Sequence, residues 1–215
     1  MIGSVALIEL YASLQGESSH AGRPCTFVRL AGCPLRCTWC DSAYTFGKGK
    51  RLPISEVVRA VLALGLPLVE VTGGEPLAQK TAPALLAALC DAGLEVLLET
   101  SGALPFGHLD PRVCVIADLK CPASGESARN LWPELQRLRP VDELKIVVAD
   151  RADFLWACAA LGQELAQCHA RILWSAVADQ LAPAELAAWL LAARVPGRLQ
   201  LQLHKVLWPE AVRGV

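Results

Sequence analysis

Seven short runs rich in Val, Ile and Leu punctuate the chain: "TFVRLAG", "PLVEVTG", "EVLLETS", "VCVIADLK", "ELKIVVAD", "ARILWSAV" and "LQLQLHK". Each has the length of a strand, and several are apolar at nearly every position, as parallel strands covered on both faces are. Between them lie Ala- and Leu-rich stretches of helical length. "PISEVVRAVLALG" opens on Pro53 and Ser55 and closes on Gly65, and "APALLAALCDAG" closes on Gly93. "ADFLWACAALGQEL" and "PAELAAWLLAAR" repeat the theme. Proline near the start, glycine past the end and a high helix propensity between them predict helices.

Strand–helix alternation predicts a parallel α/β sheet with right-handed crossovers, either an open doubly wound sheet or a full or partial barrel. The polar residues decide between these. They follow the strands repeatedly: Cys33 after "VRLAG", "TGGEP" after "VEV", "ETSG" after "VLL", "DLK" after "VIA", and His204 and Lys205 after "LQL". A barrel brings such ends to one mouth, whereas an open sheet gathers only those near its switch point. The chain has 215 residues, too few for eight units of about 30 residues each. The expectation is a truncated, partial βα barrel forming a single domain over residues 1–215.

Composition narrows the function classes. Hydrophobic residues make up 53% of the chain, enough for a large core. Lys and Arg total 20 against 21 Asp and Glu, so no field of one sign recruits nucleic acid or an anionic membrane, and neither partner is expected. The start, "MIGSVALIELYASLQGE", lacks the basic region of a signal peptide, and no run of 18 apolar residues suggests a membrane span. Nine cysteines, an odd number in a chain this long, do not read as a disulfide framework. A reducing, cytoplasmic compartment is expected.

Three of those cysteines stand within eight residues, in "AGCPLRCTWCDS": Cys33, Cys37 and Cys40, spaced Cys-x3-Cys-x2-Cys. Their Pro, Arg and Asp neighbours make a poor core. A structural zinc site would want a fourth ligand, usually from a second pair, and Cys90 and Cys114 are isolated. An iron–sulfur cluster is the other reading. Four-iron clusters ordinarily take four thiolates, so three would leave one iron open.

The triplet, with Trp39 before its last cysteine, resembles the radical SAM superfamily, and "VTGGEP" (Val71 to Pro76) after the next strand matches that superfamily's glycine-rich turn. The resemblance implies a [4Fe-4S] cluster on Cys33, Cys37 and Cys40, with S-adenosylmethionine on the open iron and a 5′-deoxyadenosyl radical as the product of its cleavage. It implies cofactor contacts at Trp39, Cys40, Asp41, Gly74, Glu75, Asp118, Leu119, Lys120 and Ser175.

"YASLQGESSHAGRPCTFVRLAGC" and the ending "LQLHKVLWPEAVRGV" are similar to one branch of that superfamily, the 7-carboxy-7-deazaguanine synthases. Ser18 stands where the branch has the second glycine of "LQGEG", and Ser42 where it usually has a threonine that binds magnesium. The resemblance implies ring contraction of 6-carboxy-5,6,7,8-tetrahydropterin with loss of ammonia, S-adenosylmethionine being regenerated. It implies magnesium on Ser42, a homodimer, and an electron donor such as flavodoxin or ferredoxin. Pterin contacts are expected from Leu14, Gln15, Gly16, Glu17, Arg29, Thr72, His204 and the terminal carboxylate of Val215, with Glu17 also among the catalytic groups.

The residues support a pterin site on their own chemistry. Arg29 offers a planar fork for an anion. It alternates with Val28 and Leu30 along its strand, so it faces the opposite side, the interior. Gln15 supplies donors and an acceptor, and Glu17 can accept from ring N–H groups. Two other classes remain: a glycyl-radical-enzyme activase, which would need a protein-docking groove, and a non-enzymatic zinc- or cluster-binding regulator, which would close its metal site.

Overall fold

The computed structural model describes residues 3–211, 213 and 214. One nine-stranded sheet runs through it in the order β3-β1-β2-β4-β5-β6-β7-β8-β9. Strands β2 (Pro24–Leu30), β4 (Leu68–Gly73), β5 (Glu95–Thr100), β6 (Cys114–Lys120), β7 (Glu143–Val148), β8 (Arg171–Ala176) and β9 (Arg198–Leu199) are parallel. β1 (Ser4–Leu14) runs antiparallel to β2 and to β3 (Lys50–Pro53). The sheet is open, its ends being β3 and β9, which makes a partial barrel.

Six of the seven expected strands form within a residue or two of the runs that predict them. The four expected helices form as well: α1 (Ile54–Ala63), α2 (Ala82–Asp91), α4 (Arg151–Gly162), which stops three residues short of its run, and α5 (Pro183–Ala193); a short helix α3 (Trp132–Leu135) precedes β7. The seventh run, "LQLQLHK", is different. Only Arg198 and Leu199 pair with β8, and the chain then turns into a short helix, α6 (Leu203–Leu207). The ladder stops where the Gln200 N–H donates to the Trp174 carbonyl at 2.7 Å and its own carbonyl accepts from Ser175 Oγ at 3.2 Å. His204 and Lys205 therefore sit on a helix, not at a strand end.

Strand alternation gives the sheet two unlike faces. Val28, Leu30, Val69, Val71, Val96, Leu98, Val115, Ala117, Leu144, Ile146 and Trp174 face the helices and build the main core with Val57, Leu85, Leu86, Phe154 and Leu186. The concave face carries a small apolar band of Cys25, Phe27, Leu68, Leu97 and Ile116, with Tyr11 stacked on Phe27. Beyond that band the same face holds Arg29, Glu70, Thr72, Glu99, Asp118 and Lys145. Burying so many polar groups is tolerable only because they pair with one another.

Two glycines bring the end of β4 against the loop after β2. A Cβ on Gly73 would lie 2.2 Å from the Leu30 carbonyl oxygen, and one on Gly74 would lie 2.4 Å from the Gly32 oxygen and 2.8 Å from Cys33 Cβ. Gly74 and Glu75 N–H groups donate to the Leu30 and Gly32 carbonyls at 3.3 and 2.8 Å. Only glycine permits backbone to approach backbone this closely. Gly74→Ala is expected to cost about 1–3 kcal/mol as overpacking, a fall of roughly 2–12 °C in Tm for a chain of this size. Thermal unfolding checks this; an unchanged Tm would contradict the close packing.

Candidate active site

The cysteine loop spans the gap between β2 and β3 and is held from three sides. Gly32 N–H donates to the Thr45 carbonyl at 2.7 Å, and the Gly32 carbonyl accepts from Glu75. Thr38 N–H donates to the Ser124 carbonyl at 3.1 Å and its hydroxyl to the Ala123 carbonyl at 2.9 Å. Arg36 N–H meets the Glu126 carboxylate at 2.5 Å, and the Arg36 guanidinium lies 4.0 Å over the Phe46 ring. So fixed, Cys33, Cys37 and Cys40 are all free and half-buried. Burial raises the thiols of Cys33 and Cys37, and the Lys120 ammonium acts against that rise.

The donor set suits an iron–sulfur cube better than zinc. Among the described residues no three His, Cys, Asp or Glu side chains gather as a single metal ion would need. A cube takes its thiolates on separate corners, and three leave one iron for another ligand. Asp118 Oδ1 is buried with no hydrogen-bond partner. Ser42 brings a hard hydroxyl oxygen, the kind magnesium takes, to 3.8 Å from Cys40 Sγ. Its carbonyl accepts from both the N–H and the hydroxyl of Thr45, at 2.9 and 2.7 Å, which fixes the turn.

The "LQGE" stretch reaches the interior from the opposite end. It opens the β1–β2 hairpin loop, whose base closes through Gln15 N–H to the Arg23 carbonyl at 2.9 Å and Gly22 N–H to the Gln15 carbonyl at 2.8 Å. Contacts to the starts of other strands tie the loop under the barrel. Ser19 N–H and hydroxyl donate to Glu143, Arg171 donates to Ser19 Oγ at 3.1 Å, and Arg23 pairs with Glu95 at 2.5 Å. Glu17 then turns toward the charged groups of the concave face. Its Oε2 lies 3.2 Å from Lys145 Nζ, and its Oε1 accepts from Gln202 Nε2 at 3.0 Å and lies 3.7 Å from His204 Nδ1. Helix α6 covers the open side between these ends. Leu203 N–H donates to the Gly16 carbonyl at 3.3 Å, and Lys205 pairs with Asp41 at 3.2 Å.

The remaining expected residues divide by where their side chains go. Arg29 faces the interior, with Nε 2.8 Å from Glu9 Oε1 and Nη2 3.0 Å from Tyr11 Oη, while Tyr44 Oη donates to the same Glu9 oxygen at 2.8 Å. Thr72 donates to Glu99 Oε2 at 2.9 Å. Asp118 and Lys120 pair at 2.5 Å. Leu14 ends β1, and Trp39 is half-buried in the cysteine loop. Three side chains are turned elsewhere. Glu75 is fully buried and its carboxylate is spent on Leu77 N–H, Thr100 Oγ1, Ser101 N–H and Ser101 Oγ. Leu119 packs in the helix-side core. Ser175 Oγ holds the Gln200 carbonyl. Val215 lies outside the described residues.

Three interior residues escaped the sequence reading: Glu9, Glu70 and Lys145. The last two are charges inside apolar runs, "LVEVTG" and "ELKIVV", at inward-facing positions. That placement was the available signal. Glu70 is 2% exposed and accepts from Gln15 Nε2 at 2.9 Å. Gln15 cannot present its other end, because its Oε1 accepts the N–H groups of Glu17 and Ser18, each at 3.0 Å. Burial, aided by Glu99, raises the Glu70 carboxyl to about 8, against the pull of Gln15 and Lys145. Glu99 goes the other way. Burial would raise it, but the charge and hydrogen bond of Lys145, with the Thr72 hydroxyl, hold it down at about 2.

Folded Glu70 thus keeps its proton above the pH at which the unfolded chain releases it. Stability from this group is present at low pH and falls as pH rises between the ordinary carboxylate range and about 8, by at most about 1.4 kcal/mol per pH unit. Glu70→Gln is expected to flatten that part of the stability–pH profile, measured by denaturant unfolding from pH 5 to 8. Equal slopes in both proteins would contradict a protonated Glu70.

The radical SAM superfamily model matches residues 28–123, from β2 through the cysteine loop to the residues after β6. The 7-carboxy-7-deazaguanine synthase of Chlorobaculum tepidum is 47% identical over 213 residues, covering 96% of each chain. That of Koribacter versatilis is 40% identical over 97% of this chain and 99% of its own. The crystal structure of QueE from Escherichia coli shares the fold, with a TM-score of 0.77 over 92% of this chain and 94% of its own at 22% identity. A partial barrel with a three-cysteine loop, and full-length relatives at this level of identity, have one reading: the chain belongs to the 7-carboxy-7-deazaguanine synthase family of the radical SAM superfamily.

Proposed function

We propose that this chain, acting as one domain, converts 6-carboxy-5,6,7,8-tetrahydropterin to 7-carboxy-7-deazaguanine with loss of ammonia. The observation that carries this reading is the pairing of two groups of residues on one concave sheet face: a three-cysteine loop at one end of the strands, and a carboxylate- and amide-bearing turn at the other. An activase acting on a protein would have no use for a buried Gln15 and a half-buried Glu17 under its own barrel.

Cys33, Cys37 and Cys40 would hold the cluster, and the backbone at Gly74 with Asp118 and Lys120 would meet S-adenosylmethionine. Together these groups supply, when bound, the one-electron chemistry that removes hydrogen from C6 of the pterin. The protein's own part is placement. Glu17, aimed by Gln15 and held by Gln202 and Lys145, accepts from the guanidine-like edge of the pterin. Arg29, locked by Glu9 and Tyr11, gives a fixed guanidinium for an anionic group beside Thr72. Ser42 would hold magnesium against the substrate carboxylate, narrowing its motion near the reacting carbon. Helix α6 lies across the open side, in contact with Gly16, Glu17 and Asp41.

Reduction requires a low-potential donor such as flavodoxin or ferredoxin. A homodimer in a reducing cytoplasm belongs to the same reading. Among the described residues no helix is long and apolar enough to cross a membrane.

Anaerobically reconstituted protein, supplied with reductant, S-adenosylmethionine, magnesium and the pterin, is expected to form the deazaguanine by mass spectrometry. Cys37→Ala is expected to abolish this, since a cluster thiolate is lost. Cofactor cleavage with the pterin untouched would overturn the reading, and full activity in Cys37→Ala would overturn the cluster assignment.

A further inference from the structure

Lys145 is a buried cation ringed by three carboxylates from three parts of the chain. Its side chain is 7% exposed. Its Nζ hydrogen-bonds Glu99 on β5, lies 3.2 Å from Glu17 Oε2 in the hairpin loop, and lies 3.4 Å from Asp118 Oδ1 on β6. Of the three protons an ammonium has to give, one goes to Glu99 and one to Glu17, while Asp118 lies alongside as an ion pair without a hydrogen bond. Asp118 Oδ1 is a buried charged oxygen without a hydrogen bond, so Lys145 is the charge that compensates it, while Asp118 Oδ2 is held by Lys120.

The contacts run from one ligand's side to the other's. Glu17 belongs to the turn under the barrel, with Gln15, Gln202 and His204 around it. Asp118 and Lys120 belong to the cysteine side, where Lys120 acts on Cys33 and Cys37. Lys145 touches both groups. A stability role alone would be served as well by apolar packing, since a buried ion pair gains little over a hydrophobic replacement. Burial would lower its ammonium, but Asp118, Glu17 and Glu99 together raise it well above the ordinary lysine range, so it stays charged.

We propose that Lys145 is a positioning residue that fixes Glu17 relative to Asp118, and thereby sets the pterin site at a defined place and distance from the S-adenosylmethionine site. This rests on the function proposed above. Its consequence is coupling: with Lys145 in place, cofactor cleavage is committed to pterin turnover.

The test uses reconstituted holoenzyme. Lys145→Met is expected to weaken equilibrium binding of 6-carboxytetrahydropterin at least about tenfold, the scale of one charged hydrogen bond, and to raise the 5′-deoxyadenosine released per product. Lys145→Arg, which keeps the charge, is expected to recover part of both. The losses in Lys145→Met and Glu17→Gln should be less than additive in the double variant. Unchanged pterin binding and product ratio in Lys145→Met, or an arginine variant no better than methionine, overturns the assignment. Should Lys145→Met not fold, Asp118→Asn reads the same link: its pterin binding must weaken although Asp118 lies on the cofactor side, and unchanged binding overturns the proposal. Wild-type enzyme that neither binds nor converts the pterin overturns the function itself, an outcome distinct from a variant that behaves like a working wild type.

Discussion

A parallel sheet that meets its helices on one face only can give that face the whole task of folding. Here Val28, Val69, Val71, Leu98, Leu144, Ile146 and Trp174 pack against α1, α2, α4 and α5, and the concave face is released from the need to be apolar. It is then free to hold Arg29, Glu70, Glu99, Asp118 and Lys145, groups that would cost several kcal/mol each if buried alone. They are affordable only as a connected set. Glu99 is ionised because Lys145 is beside it, Lys145 stays charged because three carboxylates surround it, and Glu70, which has no such cation in contact, keeps its proton.

That division explains how two loops with no sequence relation come to flank one concave face. The cysteine loop leaves the C-terminal end of β2, and the "LQGE" turn precedes its N-terminal end, so the strand's own length separates them. The concave face between them is lined by the charged set. Helix α6 reaches both, through Gly16 at one end and Asp41 at the other, and so closes the side that an open sheet leaves exposed.

What was legible in the sequence follows from the same physics. Strands covered on both faces are apolar at most positions, so β2 and β4 to β8 announced themselves. β1 did not, because an antiparallel strand beside the sheet's edge carries Glu9 and Tyr11 among its apolar residues, and "KRLP" of β3 has no strand pattern at all. The last apolar run misled because its alternation suits a strand, while hydrogen bonds from Gln200 and Ser175 turn the chain into a helix. The cysteine spacing was readable without a fold, since a cluster loop is local. Side-chain direction was not: Glu75 and Leu119 lie in the right motifs but point away from the concave face, and Lys145 is hidden within an apolar run.

On the proposed function, the two ends of this concave face direct hydrogen removal to C6 of the pterin and return the cofactor intact. Turnover of 6-carboxytetrahydropterin deuterated at C6, with S-adenosylmethionine recovered and weighed by mass spectrometry, tests it most directly. Deuterium should enter the S-adenosylmethionine pool as product accumulates, with the pool nearly constant in size. An unlabelled pool beside labelled substrate turning over, or one cofactor consumed for each product, would contradict it.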